Sequence, residues 1–383
     1  MKTGITFSLL LILMTAGLRA QTTPGSIESM EQLSWEKVAP GIWKASIGEK
    51  EITPLDFAGA PKIDAITVLG DTDFPLDPES LRGALTPMRA SVRLPINETE
   101  KIYGLGLEFE GINRRGNVYH LKVDHYGGVK GFTHAPVPFY ISSEGYGVLI
   151  NTARRPSVYA GIGNRKDGRI PEPVDRTTDS KNWKARPISD AVEVTVQGEG
   201  LEIYIFGGKN PLEVVQRYNL YCGGGVLPPK WGLGFWHRMH TQSSDEDVLK
   251  EIEDFKENDF PLDVIGLEPG WQSFAYPCSF DWDSVRFPDP AGFVGKLKDQ
   301  GIMINLWENP YVAPSSTMFK DMQPYTGSHT VWLGEVPDYT LPAAQKVMLD
   351  HHQLNHLDIG VSGYKFDEVD GYDFWLWPDH ATF

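Results

Sequence analysis

An apolar run near the end of the sequence leads directly into a cluster of acids. The segment "VSGYKFDEVDGYDFW" contains, within seven positions, Asp367, Glu368, Asp370 and Asp373. Side chains in a strand alternate between its two faces, so Lys365 and Asp367 point the same way. A cation beside a carboxylate lowers the carboxylate's pKa and keeps it ionised. This spacing favours a carboxylate that must stay charged, as a nucleophile must.

Two other apolar runs also end in polar or aromatic residues. In "VIGLE", Gly266 and Glu268 share a face, and the glycine leaves room beside the acid. In "INLWEN", Trp307 shares a face with two asparagines. An acid that follows a buried-looking strand is costly unless it is paired. If these faces line one opening, a carboxylate nucleophile, a second acid and a tryptophan meet at a single site.

Each of these residues also has a simpler structural interpretation. Asp367 could cap or order a loop, and Trp307 could belong to the core. The other acids of the cluster are typical of a solvated loop. A calcium-dependent structural module on residues 367–373 is a third alternative, although "DEVDGYD" does not follow the EF-hand spacing.

No cofactor or metal site is expected from the remaining motifs. His237 and His240 are three positions apart, but no nearby Cys or acid completes a metal-ligand set. The glycine-rich "GLGLEFEG" lacks the strand and helix that a phosphate-binding loop requires. A second group of histidines is predicted to lie on a helix surface, and it consists of His351, His352 and His356.

Composition limits the classes of partner. The 383 residues carry a formal charge of −16, which disfavours DNA and RNA. Aromatic residues are plentiful and, where exposed, suit the apolar faces of sugar rings. The two cysteines, Cys222 and Cys278, are expected to be free thiols and not a disulfide framework.

The first 20 residues are typical of an export signal. Lys2 precedes "ITFSLLLILMTAG", an apolar run too short to span a bilayer comfortably, and Ala20 offers a cleavage position. Removal of residues 1–20 takes the formal charge from −16 to −18. The sequence therefore predicts a secreted or periplasmic protein without a membrane span.

Two domains are predicted after the signal peptide. Residues 21–225 contain many short alternating runs punctuated by turn residues, a pattern that predicts a β-sandwich. Residues 226–383 alternate strand and helix, with helix caps at Ser244 and Asp289, which predicts a parallel α/β fold. A (β/α)8 barrel needs about 250 residues. We therefore expect a truncated barrel that comprises its first half.

The sequence around these residues resembles glycoside hydrolase family 31. The resemblance runs from about residue 101 to the end and rests on several collinear motifs: "IYGLGLEFEGINRRG", "PVPFYISSEGYGVLIN", "LPPKWGLGFW", "FPLDVIGLEPGWQ", "FDWDSVRFPDPAGFVGKLKDQGIMINLWENPYV" and "GYKFDE". Together they are far more specific than any one alone. They correspond to the N-terminal portion of the family's proteins.

The resemblance implies a retaining exo-α-glycosidase that acts on oligosaccharides or other glycosides, and the signal peptide predicts that it is secreted. Asp367 matches the catalytic nucleophile and Lys365 matches its neighbouring lysine. Trp271 and Trp307 match aromatic residues of the sugar pocket. Glu268 stands where the family usually has an aspartate that holds sugar hydroxyls, and its extra methylene favours α-galactosides, with α-glucosides or α-xylosides close behind.

The family's acid/base lies beyond the nucleophile strand, so the resemblance places it beyond Phe383, and the chain alone is expected to be inactive. The main alternative is a non-enzymatic secreted carbohydrate-binding protein, in which the same carboxylates only bind hydroxyls. Turnover of a glycoside would separate the two.

Overall fold

The fold is described from a computed structural model that covers residues 30–108, 111–122, 135–162 and 188–368. The predicted signal peptide and residues 369–383, which hold part of the acidic cluster, lie outside the described residues. None of the described helices is both long enough and apolar enough to cross a membrane.

Twelve strands of the N-terminal part form two six-stranded antiparallel sheets. The first sheet has the order β1-β4-β5-β11-β10-β7, and the second has the order β2-β3-β12-β9-β8-β6. The strands are β1 Glu31–Gln32, β2 Glu36–Ala39, β3 Ile42–Gly48, β4 Arg82–Thr86, β5 Arg89–Pro95, β6 Ile102–Gly104, β7 Asn117–His120, β8 Phe139–Ser142, β9 Tyr146–Asn151, β10 Ser157–Ile162, β11 Ile188–Gln197 and β12 Gly200–Gly207.

Alternation along the strands places one face of each sheet in a shared core. In β5 and β11, Val92 and Leu94 lie opposite Val194 and Val192, and all four are buried. The second sheet adds, to the same cluster, Val148, Ile150, Ile203 and Ile205. Burial of each such side chain contributes about 1.5–3 kcal/mol. The predicted β-sandwich is therefore confirmed.

Two helices cover the outer face of the second sheet, α1 Ile63–Val68 and α2 Pro211–Tyr221. Tyr218 of α2 stacks on Phe139 with ring centroids 3.9 Å apart. Arg217 is completely buried and donates to the carbonyls of Pro40 and Gly70 at 2.6 and 3.0 Å. These bonds fix α2 on the sandwich just before the chain enters the second domain.

The second domain alternates strands and helices, as predicted. Its elements are β13 Trp236–Arg238, α3 Asp245–Glu257, β14 Val264–Leu267, α4 Pro290–Asp299, β15 Met303–Glu308, α5 Phe319–Met322, β16 Thr326–Val331, β17 Gly334–Pro337, α6 Pro342–His352 and β18 Gly363–Phe366. Four of the strands form a parallel sheet in the order β13-β14-β15-β18, which is half the number of strands in a (β/α)8 barrel. The predicted boundary at residues 225–226 falls between α2 and β13.

Local sequence signals set the helix starts. Ser244 and Asp247 form a capping box at α3, and the Asp289 carboxylate accepts from the Gly292 N–H at the start of α4. Pro290 occupies the first position of α4, where its missing N–H costs nothing. The strand β13 was not predicted, because three residues carry too little alternation to be recognised.

Apolar residues on one face of the parallel sheet pack against α3 and α4, and the acids at the strand ends lie on the other face. Ile265 and Ile304 belong to a buried cluster with Val248 and Leu297 of the helices. The opposite positions, two of which are Glu268 and Asp367, are therefore directed away from the helices. This division places the acids on the face of the four-stranded parallel sheet that is not covered by α3 and α4.

The prediction that three histidines lie on a helix surface is wrong. As whole residues, His351, His352 and His356 are 9%, 6% and 0% exposed. They lie at the end of α6 and in the π-helix Gln353–Leu357 that follows it. Polar partners from distant segments, Glu308 and Asp281 among them, satisfy the buried rings, and helix periodicity carries no information about such partners.

We expect the stability of the chain to fall in acid because of His356. Burial, and then the neighbouring His352, lowers the pKa of His356 to about 3. The unfolded chain binds this proton near pH 6.5, so the free energy of unfolding should fall by up to about 1.4 kcal/mol per pH unit as the pH drops from 6.5 toward 3. Urea unfolding at pH 7, 6 and 5 measures this slope.

The matched variants are His356→Gln, which removes the titrating ring, and His240→Gln, which removes an exposed one. His356→Gln should flatten the pH slope of the unfolding free energy. His240→Gln should keep the slope of the unmodified chain. Equal slopes in the unmodified chain and in His356→Gln would disprove the assignment.

Candidate active site

The candidate site lies at the C-terminal ends of the parallel strands. Lys365 of β18 is opposite Trp307 of β15 in the sheet register, and Asp367 follows β18 directly. Glu268 follows β14 in the same way. Side chains from different strands therefore meet at one edge of the sheet, which is where parallel α/β folds place their ligands.

The Asp367 carboxylate is held by three donors. The Trp307 indole N–H donates to Oδ2 at 2.8 Å, and the Lys365 ammonium lies 3.1 Å from the same oxygen. The backbone N–H of Glu368 donates to Oδ1 at 3.0 Å. The backbone N–H of Asp367 donates to the Glu308 carbonyl at 2.9 Å, which ties the end of β18 to β15.

These contacts keep Asp367 ionised at neutral pH. Partial burial by itself raises the pKa, but the hydrogen bonds from Trp307 and Lys365 and the lysine charge outweigh it. The pKa of Asp367 therefore lies below its ordinary value of 3.8. The side chain is still 34% exposed, so a substrate atom can approach it. A charged, accessible carboxylate of this kind can act as a nucleophile.

Glu268 is paired with two cations. Arg238 Nε donates to Glu268 Oε1 at 2.5 Å, and Lys365 Nζ lies 3.8 Å from the same oxygen. Lys365 thus lies between the carboxylates of Glu268 and Asp367. This pairing removes the cost that an isolated acid at a strand end would carry.

The two tryptophans of the predicted pocket are both buried. Trp271 and Trp307 are each only 1% exposed. The Trp271 indole N–H donates to the Trp307 carbonyl at 2.7 Å, and its ring packs edge-on against Trp282 and His356. Trp271 therefore orders the end of β15, and Trp307 contacts Asp367 through its N–H. Their direct contact with sugar stays a prediction.

Two site residues were missed by the sequence analysis. Arg238 lies on the short strand β13, and no pattern links it to an acid 30 positions later. Tyr276 is 43% exposed, and its ring centroid is 5.3 Å from that of Trp307. Burial, and then the hydrogen bond to Glu368 and the charge of the two neighbouring carboxylates, raises the pKa of Tyr276, so its hydroxyl stays protonated. Among the described residues, Tyr276 offers an exposed aromatic surface beside Asp367.

No group of histidine, cysteine and acidic residues among those described could hold a metal ion. The calcium alternative involves residues 369–373, which lie outside the described residues. Both cysteines are free thiols, as predicted, and burial raises the pKa of Cys222 to about 11. Burial also raises the pKa of Cys278, to about 12, so both thiols are protonated at neutral pH.

Comparison with known proteins identifies the family. Residues 225–381 match the glycosyl hydrolases family 31 TIM-barrel domain, and residues 40–158 match the glycosyl hydrolase 31 N-terminal galactose mutarotase-like domain. The chain is 33% identical to α-xylosidase XylQ of Lactiplantibacillus pentosus over 294 residues, which are 73% of this chain and 35% of that protein. An α-xylosidase of Emericella nidulans is 30% identical over 290 residues, covering 72% of this chain and 34% of that protein.

A solved structure shows the same fold. The Flavobacterium johnsoniae GH31 dextranase, in a D412A mutant complexed with isomaltotriose, has a TM-score of 0.65 at 17% identity. The match covers 89% of this chain and 45% of that one. The chain thus spans about a third of the length of the two curated relatives. Because two consecutive domains of one family match in their natural order, the chain belongs to glycoside hydrolase family 31.

Proposed function

We propose that this chain carries the nucleophile side of the active site of a retaining exo-α-glycosidase. The observation that carries the proposal is the Asp367 carboxylate, which Lys365 and Trp307 keep ionised at the C-terminal ends of the parallel strands and which is still accessible. Membership of a glycoside hydrolase family supports the reaction class. Export, predicted from residues 1–20, belongs to the same proposal.

In the first step an Asp367 oxygen attacks the anomeric carbon of the terminal sugar, and the bond from that carbon to the leaving oxygen breaks. A second carboxyl group about 5–5.5 Å away protonates the leaving oxygen. In the second step that group takes a proton from water, the water oxygen attacks the anomeric carbon, and Asp367 departs. The second carboxyl group is not assigned to a described residue.

The contacts of Asp367 fit both steps. Lys365 and the Trp307 indole N–H stabilise the negative charge of Asp367 before it attacks. The same contacts stabilise the carboxylate again when it leaves in the second step, because a carboxylate of low pKa is a better leaving group. A neutral, buried aspartic acid at this position would serve neither step.

The substrate class is a neutral α-linked terminal sugar. Two curated relatives are called α-xylosidases, which favours α-xylosides. The extra methylene of Glu268, where the family usually has Asp, favours α-galactosides. α-Glucosides are the third candidate. The comparison of xylose, glucose and galactose derivatives is therefore part of the test.

We expect a 5-fluoro glycosyl fluoride of the preferred sugar to label Asp367 covalently. Fluoride leaves without the help of a proton donor, so this reaction tests the nucleophile even where no acid/base takes part. Intact mass spectrometry follows the label, and tandem mass spectrometry of the peptide distinguishes Asp367 from Glu368. Labelling at another residue, or none with all three sugars, would contradict the proposal. Sugar binding without labelling would favour a carbohydrate-binding protein.

A further inference from the structure

Four inward positions of the parallel sheet form one layer beneath the candidate site. Arg238 of β13 is paired in register with Gly266 of β14, Gly266 with Asn305 of β15, and Asn305 with Gly363 of β18. Two of the four positions are glycines. The layer therefore has space for one long side chain to lie across the sheet.

The Arg238 side chain fills this space. Its Nη1 donates to Asn305 Oδ1 at 2.8 Å, its Nη2 donates to the Leu267 carbonyl at 3.2 Å, and its Nε donates to Glu268 Oε1 at 2.5 Å. A methyl group on Gly266 would lie 2.4 Å from Nη1 and 2.7 Å from Cδ of Arg238. The glycine at 266 is thus required for the arginine to reach across β14.

This arrangement fixes which Glu268 oxygen remains available. Arg238 and Lys365 both contact Oε1. Within residues 30–108, 111–122, 135–162 and 188–368, Oε2 takes part in no hydrogen bond, and the side chain is 23% exposed. A carboxylate oxygen without a partner, on a partly exposed side chain, can accept a hydrogen bond from a ligand hydroxyl.

Two cations and two carboxylates alternate in one chain of contacts across the site, and Glu368 adds a further carboxylate beside Asp367. Arg238 and Lys365 carry two positive charges, and Glu268 and Asp367 carry two negative charges, all within one chain of contacts. Both cations are already paired with carboxylates. Among the described residues, these contacts therefore suit a neutral sugar, and neither Arg238 nor Lys365 is an uncommitted cation for a uronate or sulfonate group.

We infer that Arg238 is a positioning residue for substrate recognition: it holds Glu268 so that Oε2 accepts one hydroxyl of a neutral pyranose. The inference rests on the proposed function of the same site. Gly266 provides the space, and Asn305 fixes the far end of the guanidinium. Lysine cannot make all three of these contacts, because it donates from one charged nitrogen, whereas arginine donates from three.

Binding of methyl α-glycosides to the full chain, measured by titration calorimetry, tests the inference. Arg238→Met and Gly266→Ala should each raise the dissociation constant by about tenfold or more, the loss expected for a misplaced hydrogen bond to a charged group. Arg238→Lys should recover part of the loss. Gly363→Ala is the matched control in the same layer, since its methyl group would lie at an ordinary 3.6 Å from Asn305 Nδ2.

The combination Arg238→Met with Glu268→Gln separates positioning from a general loss of fold. If Arg238 acts through Glu268, the double variant should bind no more weakly than Glu268→Gln alone. If the affinity loss of the double variant equals the product of the two single losses, the inference is overturned. Wild-type affinity in Arg238→Met would overturn it as well. Either result would leave the proposed function intact.

A second cycle with the same variants needs no sugar. In urea unfolding of the unliganded chain, the midpoint shift of the double variant should differ from the sum of the shifts of Arg238→Met and Glu268→Gln. Additive midpoints would overturn the inference whether or not the chain is a glycosidase. Coupled midpoints in a chain that neither binds nor is labelled by any of the three sugars would refute the proposed function and its recognition role, and would leave Arg238 as a structural partner of Glu268.

Discussion

Replacing Asp367 with asparagine is expected to slow covalent capture by a 5-fluoro glycosyl fluoride on the order of 10⁴-fold or more. The amide has nearly the size of the carboxylate and can still accept the Trp307 indole N–H, so the site should keep its shape. It carries no charge, however, and its oxygen is a poor nucleophile. The rate of labelling, followed by intact mass spectrometry, measures the effect.

Asp350→Asn is the control for this experiment. Asp350 is 66% exposed on α6, and its ion-pair partner among residues 30–108, 111–122, 135–162 and 188–368 is Lys346, so its replacement should leave the labelling rate unchanged. Asp367→Gly extends the test, because azide can occupy the space of the lost carboxylate and attack the anomeric carbon as fluoride leaves. A β-glycosyl azide is the expected product. Labelling of Asp367→Asn at the rate of the unmodified chain would remove Asp367 from the nucleophile role.

The second large effect concerns stability. His352→Leu should lower the free energy of unfolding by about 3 kcal/mol or more, because it leaves the Glu308 carboxylate buried without its partner. The exposed fractions of the two side chains are 1% for Glu308 and 8% for His352, and His352 Nε2 lies 3.0 and 3.1 Å from the two carboxylate oxygens. Burial raises the pKa of Glu308, and the hydrogen bond from His352 opposes this. Urea unfolding measures the loss.

The double variant Glu308→Leu/His352→Leu should recover most of this loss, because two apolar side chains leave no charge in the core. Lys346→Ala is the surface control. It removes an exposed ion pair on the same helix and should change the free energy of unfolding by less than about 0.5 kcal/mol. A His352→Leu variant as stable as Lys346→Ala would show that the buried pair is unimportant.

This buried pair also supports the candidate site. Glu308 ends β15, and its carbonyl accepts from the backbone N–H of Asp367. Trp307, one position earlier, points to the opposite face and donates to the Asp367 carboxylate. Displacement of Glu308 should therefore move both contacts of the nucleophile that β15 provides, although His352 itself lies on the outer side of the sheet.

Short-range patterns were enough to predict the outline of the fold. The period-two spacing of Lys365 and Asp367 placed them on one face, and their contact at 3.1 Å confirms that prediction. Ser244 and Asp289 marked the starts of α3 and α4. Each of these signals lies within a few residues, and the geometry of a strand or a helix end translates it directly into a position.

The partners of the site residues depended on the tertiary structure. Glu268 pairs with Arg238 across 30 positions, and the histidines predicted at the surface pair with acids of other segments. Trp271 is buried, and its indole N–H donates to the carbonyl of Trp307, 36 positions later in the sequence. Such contacts follow from strand register and from which helix covers which face.

Patterns of neighbouring residues were therefore sufficient for the fold class of both domains, the helix caps and the common face of Lys365 and Asp367. The contact of Arg238 with Glu268 across Gly266, and the burial of Glu308 against His352, became apparent only in the folded chain. The physical reason is the range of the interactions: the first set is encoded in neighbouring residues, and the second forms only when strands far apart in sequence lie side by side.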